Sequence, residues 1–130
     1  MNEFENNAYF WQKVDALFYA STVKPVKKKG ETNDNFADLV YPLDYGKIED
    51  LASVNGKGVG VYCGSGNVNQ ITALVVAADI LAKELDVKIL AGCNEEEVDA
   101  VLHYLNQTDF QKTILIRRGN EMPAWSVTDN

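Results

Sequence analysis

Lys24, Lys27, Lys28 and Lys29 form a basic cluster in a chain that is otherwise acidic, with 19 Asp and Glu against 12 Lys and Arg and a net charge of −7. Such a run has two uses, as a solvated surface or as a receiving site for a small anion. Other reactive groups are sparse. Residues 56–66 are rich in glycine, but they lack the Gly-Lys-Ser/Thr ending and the following helix of a phosphate loop. His103 is the one histidine, and it falls near the polar side of a helical stretch with no Cys or His close by, which reads as a surface position. Cys63 and Cys93 have no metal-type spacing and no histidine near them in sequence. Little there supports a thiol catalyst, and both read as small buried residues in a reducing compartment.

The elements that must carry these groups fit one domain of 130 residues. Hydrophobic residues make up 46% and charged residues 24%, the balance of an ordinary soluble protein. The acidic balance argues against a nucleic-acid partner, because affinity for phosphate backbones comes mostly from Lys and Arg. The first residues show no basic region followed by an apolar stretch, and the longest apolar run, 71–78, is too short to cross a membrane. The expected location is the cytoplasm, with no membrane partner.

Phe4, Ala8, Trp11, Val14 and Phe18 recur at helical spacing and predict a helix over 4–19. Strand-like patterns follow at 22–28, where Pro25 suggests an edge, and at 39–41, 45–48 and 59–63. Residues 71–85 are ambiguous: Val75 and Val76 favour a strand, while the alanines and Leu85 would also suit a helix. A strand is clearer at 87–91. Asn94 with Glu97 three residues on predicts a capping box, and Val98, Val101, Leu102 and Leu105 give the apolar face of the helix it starts. A last core strand is expected at 113–116. The fold class is α+β.

At Tyr41-Pro42-Leu43-Asp44-Tyr45-Gly46-Lys47-Ile48 the chain resembles the soluble (family I) inorganic pyrophosphatases. Their hallmark is Tyr-Pro, two residues, Tyr-Gly-Tyr-Ile, then a loop of the form Asp-Gly-Asp-Pro-x-Asp. Here the loop positions, with spacing kept, read Asn55-Gly56-Lys57-Gly58-Val59-Gly60. A short bacterial branch of that family is similar in three further places: Phe10-Trp11-Gln12, Ala91-Gly92-Cys93-Asn94-Glu95-Glu96-Glu97, and an Asn-Gln before a final strand ending Ile116-Arg117-Arg118. The resemblance covers residues 10–118. It implies a small, highly curved five-stranded barrel like the oligonucleotide-binding topology, with the two helices packed outside. It also turns 71–85 toward a strand and hairpin. The tail after Gly119 lies outside it, and Trp125 either docks on the barrel or stays mobile.

Hydrolysis of pyrophosphate needs several divalent ions, an activated water and cations on the leaving phosphate. Mg²⁺ takes hard oxygen ligands, which the family draws largely from its loop acids. Asn55 keeps only a neutral carbonyl oxygen, Lys57 puts a positive charge where a cation would sit, and Gly60 has no side chain. Two like charges 4 Å apart repel by about 4 kcal/mol at an effective dielectric of about 20. The usual metal site is therefore degenerate. The resemblance carries over Tyr45 as a phosphate-contacting tyrosine, against the alternative of a buried core tyrosine. It carries over Asp86 as a metal ligand and Lys88 as a phosphate contact, against the alternative of a solvated hairpin charge pair. The family's further acid aligns on Leu81, with Asp79 or Glu84 as substitutes after a shift. The family's arginine before Tyr-Pro falls on Asn35, and Lys27 or Lys29 stands in for that cation or belongs to the solvated run.

The leading expectation is a degenerate, inactive or strongly impaired pyrophosphatase homologue. It would bind a phosphate- or pyrophosphate-like anion through Lys29, Tyr45, Lys57 and Lys88 with no cofactor. An alternative is a working Mg²⁺-dependent diphosphatase with a rearranged ligand set, Asp86 with Asp44, Glu49 or Asp50. A third is a structural or protein-interaction module that forms a homo-oligomer.

Overall fold

Residues 5–52 and 56–119 are described by the computed structural model of the chain; Phe4, Asn55 and Trp125 lie outside them. The first helix, α1 (Ala8–Tyr19), begins later than its apolar repeat because Asn7 caps it. The extended Asn7 accepts the amide hydrogens of Tyr9 and Phe10 on its side-chain oxygen, at 3.0 and 3.2 Å. Trp11 and Phe18, two turns apart, are the residues this helix buries.

Strands β1 (Lys24–Lys27), β2 (Asp44–Ile48), β3 (Val59–Cys63), β4 (Ile71–Asp79), β5 (Glu84–Ala91) and β6 (Gln111–Arg117) form one mixed sheet in the order β1-β2-β3-β5-β4-β6. Only the β3–β5 pairing is parallel. Helix α2 (Glu95–Leu105) lies between β5 and β6 in the chain.

The α+β class holds, while the closed five-stranded barrel does not: the sheet has six strands and stays open. A small barrel has one interior face, whereas here both faces are apolar and each is covered. Val59 and Val61 of β3, with Ile89 and Ala91 of β5, pack on Trp11 and Phe18 of α1. The alternate residues Tyr62 and Leu90 pack on Val98, Val101, Tyr104 and Leu105 of α2. β3 is therefore buried along nearly its whole length, as a strand between two layers must be. The outer strands also resist closure. β1 is four residues long, carries Pro25 without an amide hydrogen, and shifts register between Pro25 and Lys27.

Two smaller expectations are corrected. Residues 39–41 form no strand; Val40 makes only an isolated bridge to Thr32. The last strand is an edge strand rather than a core one, with Ile114 62% exposed. The ambiguous 71–85 stretch does become strand and hairpin. Asp79 folds the turn by accepting the amide hydrogens of Leu81 and Ala82, both at 2.9 Å, and Lys83 takes the left-handed conformation at φ 57°. No helix among the described residues is long and apolar enough to cross a membrane.

Helix α2 starts as its sequence dictates. Asn94 accepts the Glu97 amide hydrogen at 2.8 Å, and the Glu97 carboxylate accepts those of Asn94 and Ser65, each at 2.9 Å. These bonds, the one to Asn94 foremost, hold the Glu97 carboxyl below its ordinary pKa despite the opposing effect of burial. A depressed carboxylate pKa contributes stability above the unfolded-state value, lost as pH falls through the folded-state value. Glu97→Gln is therefore expected to lower stability at neutral pH by about 1 kcal/mol. The gap to wild type should close as pH falls below about 4.3. Urea melts at pH 7 and pH 3 check this, and a gap that persisted at pH 3 would count against the charged cap.

Candidate functional site

The α2 face of the sheet carries a cleft of about 330 Å³ whose floor is aromatic. β2 and β3 place Tyr45 opposite Tyr62, and their rings lie 4.7 Å apart. Tyr41 joins Tyr45 at 5.5 Å and Tyr104 of α2 at 5.1 Å. Asn33 donates to the Tyr104 hydroxyl at 2.9 Å and fixes that end of the cluster. Burial first, and then the neighbouring phenols, push Tyr62 and Tyr41 well above the ordinary tyrosine pKa. Both therefore stay protonated at physiological pH and keep a hydroxyl proton to donate.

Gly60 is what lets Tyr45 lie there. A Cβ on Gly60 would stand 2.8 Å from Cε1 and 2.9 Å from Cζ of Tyr45, so the ring rests directly on the bare backbone of β3. Across the next pairing, Gly60 stands opposite Lys88 of β5, whose Nζ lies 5.8 Å from the centre of the Tyr45 ring. Lys88 is nearly enclosed, at 14% side-chain exposure, and pairs with Asp86 at 3.1 Å. Burial works against its charge, but Tyr45 and Asp86 outweigh that and hold the Lys88 pKa above the ordinary lysine value.

The expected site residues divide. Tyr45 and Lys88 share the cleft, and Asn35 and Leu81 line the same cleft. Asp86 and Lys88 form a pair on one face of β5, inside the strand rather than at the hairpin tip. Lys57 does not reach into the cleft; it pairs with Glu84 at 2.8 Å beside the Asp86–Lys88 pair. Glu84 and Asp86 hold the Lys57 ammonium above its ordinary pKa, the hydrogen bond to Glu84 contributing most. Lys29 is exposed and outside the cleft; its backbone amide donates to Asp44 at 2.9 Å. Lys27 of the basic cluster is also outside the cleft lining, bound to Asp34 at 2.9 Å, a bond that raises its pKa above the ordinary lysine value.

Of the acids expected as a rearranged ligand set, Asp44, Glu49 and Asp86 are engaged separately, and none of them is grouped with Asp50 as a metal cluster among the described residues. Asp44 takes the Lys29 amide, Glu49 lies 3.5 Å from Lys24, and Asp86 holds Lys88. Asp79 is occupied in the hairpin turn. Among the described residues, no group of three or more His, Cys, Asp or Glu is placed to hold a metal ion. His103 is exposed in the last turn of α2. Cys63 and Cys93 are free and half-buried rather than fully buried. Burial pushes the Cys93 thiol up to about 12 and raises that of Cys63, so neither is a thiolate at neutral pH.

Sequence reasoning missed Tyr62, Tyr104, Phe36 and Phe110 in this cleft. A signal for the first did exist: Tyr62 lies on a strand predicted at 59–63, on the same alternation as Gly60, which the resemblance had marked. The search of family models, of characterised proteins and of solved structures finds no significant match.

Proposed function

We propose that this chain is a pyrophosphatase-type domain that binds a small phosphate-bearing anion without a metal and does not run Mg²⁺-dependent hydrolysis. The observation that carries the reading is the meeting of four positions in one cleft. Asn35, Tyr45, Leu81 and Lys88 are far apart in sequence, and each was aligned with a phosphate-contacting or metal-binding position of that family. The framework read for the domain is that family's oligonucleotide-binding-like arrangement with β6 added beside β4. The order β1-β2-β3-β5-β4, with a parallel β3–β5 pair, suits a partly open Greek-key barrel.

The changes at those positions remove charge of both signs. Asn35 replaces an arginine and Leu81 an acid, while Gly60 leaves room for the Tyr45 ring. What remains is one enclosed cation, Lys88, paired with Asp86 among phenolic donors, and one acid in the lining, Asp79, whose Oδ1 is taken by the Leu81 and Ala82 amides. That set can hold an anionic oxygen, since hydrogen bonds involving a charged group are worth about 1.5–3 kcal/mol. It cannot activate a water as a metal does. Recruiting Asp86 as a metal ligand would strip Lys88 of its partner in a site with little water to replace it.

Calorimetric titration with inorganic phosphate and with pyrophosphate, in a chelator, tests the reading. Both should bind, and Lys88→Ala should weaken them by about 10- to 100-fold. Absence of binding at millimolar ligand overturns it. So does release of phosphate from pyrophosphate with Mg²⁺ at about 1 s⁻¹ or faster, lost in Asp86→Ala.

A further inference from the structure

Beyond the Lys88 end, the cleft changes character. A space of about 330 Å³ is at the lower limit of pockets that enclose whole organic molecules, and it exceeds the need of a bare phosphate. Its outer wall is made by Phe36, from the segment between β1 and β2, and Phe110, which immediately precedes β6. The two rings face each other at 6.4 Å with 28° between their planes. That spacing is a direct stacked contact, so the pair offers a ring its outer faces rather than a slot between them. They are 38% and 39% exposed, so each keeps open apolar surface at the mouth. Polar groups border the same wall: the Asn35 carboxamide and Thr108 both line it. No hydrogen bond to the Asn35 side chain is formed among the described residues. A free carboxamide presents a donor and an acceptor side by side, the pattern that reads the edge of a base.

We propose that the ligand of this cleft is a mononucleotide, a phosphate ester carrying a planar heteroaromatic ring. The phosphate lies at Lys88 and the tyrosine floor, the ring stacks on the Phe36–Phe110 pair, and Asn35 meets the ring edge. The inference rests on the anion-binding reading above and adds the ring to it. A polymer is disfavoured by the net charge of −7, so the unit recognised is a single nucleotide rather than a strand.

The test is a metal-free titration of the full chain with the four nucleoside 5′-monophosphates, ribose 5-phosphate, adenosine and a short single-stranded oligonucleotide. Wild type is compared with Phe36→Ala, Phe110→Ala and Lys88→Ala. Both phenylalanines are exposed enough for their variants to fold, and melting temperatures check that they do. At least one monophosphate should bind about tenfold or more tighter than ribose 5-phosphate. That advantage should vanish in Phe110→Ala, with ribose 5-phosphate affinity unchanged. Equal affinity for every monophosphate and for ribose 5-phosphate overturns the ring and leaves the anion reading standing. Adenosine binding as tightly as its monophosphate keeps the ring site but removes the anion reading, and the nucleotide proposal with it. An advantage that survives both Phe variants, or an oligonucleotide that outcompetes every monophosphate, also overturns the proposal. Binding of nothing, inorganic phosphate included, overturns both.

Discussion

Gly60→Asp, which places an acid at the third position of the proposed pyrophosphatase-like loop, is expected to disrupt the fold rather than create a metal site. The new Cβ would fall 2.8 Å from Cε1 and 2.9 Å from Cζ of Tyr45. That ring has little room to retreat. It packs on Tyr62 at 4.7 Å and on Tyr41 at 5.5 Å, and the residue is only 9% exposed. Overpacking of this kind costs about 1–3 kcal/mol even for alanine. The carboxylate adds a desolvation cost above the ~1–3 kcal/mol of a neutral polar group, because it enters beside a tyrosine floor whose nearby cation, Lys88, is already paired. A total of about 3 kcal/mol or more is a large share of the 5–15 kcal/mol typical of a domain, and about 10 °C or more in melting temperature. Thermal melts with and without Mg²⁺ measure it. Tyr45→Ala destabilises by itself, yet in that background Gly60→Asp should cost far less, a coupling that a double-mutant cycle reads directly. An unchanged melting temperature together with stabilisation by Mg²⁺ would mean that Tyr45 swings out and that the metal site is latent.

That clash also explains how the site departs from its sequence. In the sequence, Gly60 stands out only through the resemblance, as a position with no side chain to bind a metal. In the fold it is the floor space of a tyrosine, because Tyr45 pairs with Tyr62 and so lies diagonal to Gly60, two residues along the ladder on the same face. Local signals carried what local chemistry decides. The Asn94–Glu97 box predicts where α2 starts, and of the apolar face expected after it Val98, Val101 and Leu105 are buried, Leu102 is partly buried, and Tyr104 joins them unexpectedly. The Ile71–Asp79 strand was harder, because alanines suit either state, and its pairing on both sides with β5 and β6 is what selects a strand. The lysines show the limit most clearly. The resemblance implies that Lys57 and Lys88 share a ligand, but register sets Lys88 opposite Gly60 inside the cleft, while Lys57 pairs with Glu84 outside it. Lys29 is expected with them, but it follows the end of β1 at Lys27 and lies exposed outside the cleft. The barrel rests on a resemblance carried by short motifs on α1, β2, the loop before β3, the start of α2 and the end of β6, and motifs so short say nothing about whether the sheet edges meet.

Trp11→Ala is expected to cost about 3–5 kcal/mol, the range for removing a large aromatic from a core. Trp11 is fully buried between α1 and the sheet, but its loss reaches further than its own volume. The indole Nε1 donates to Asn6 at 2.5 Å, and Asn6 also accepts the Gly119 amide at 2.8 Å and donates to the Arg117 carbonyl. The Arg118 guanidinium stands 5.5 Å from the indole and grips Asp15 of α1 with two bonds at 2.8 and 2.6 Å. That grip is what holds the Asp15 carboxyl below its ordinary pKa, against the opposing effect of burial. One side chain thus sits at the joint between α1 and the end of β6, an edge strand paired on one side only. Urea denaturation should show Trp11→Phe, which keeps most of the ring, losing markedly less than Trp11→Ala. Arg118→Ala should cost less in the Trp11→Ala background than alone, since the two share contacts. A loss below about 1 kcal/mol for Trp11→Ala would mean that α1 is not an integral layer. Because α1 covers the face opposite the cleft, Trp11→Phe should leave phosphate affinity where it was, and a loss of binding in that variant would mean that the two faces of the sheet are coupled.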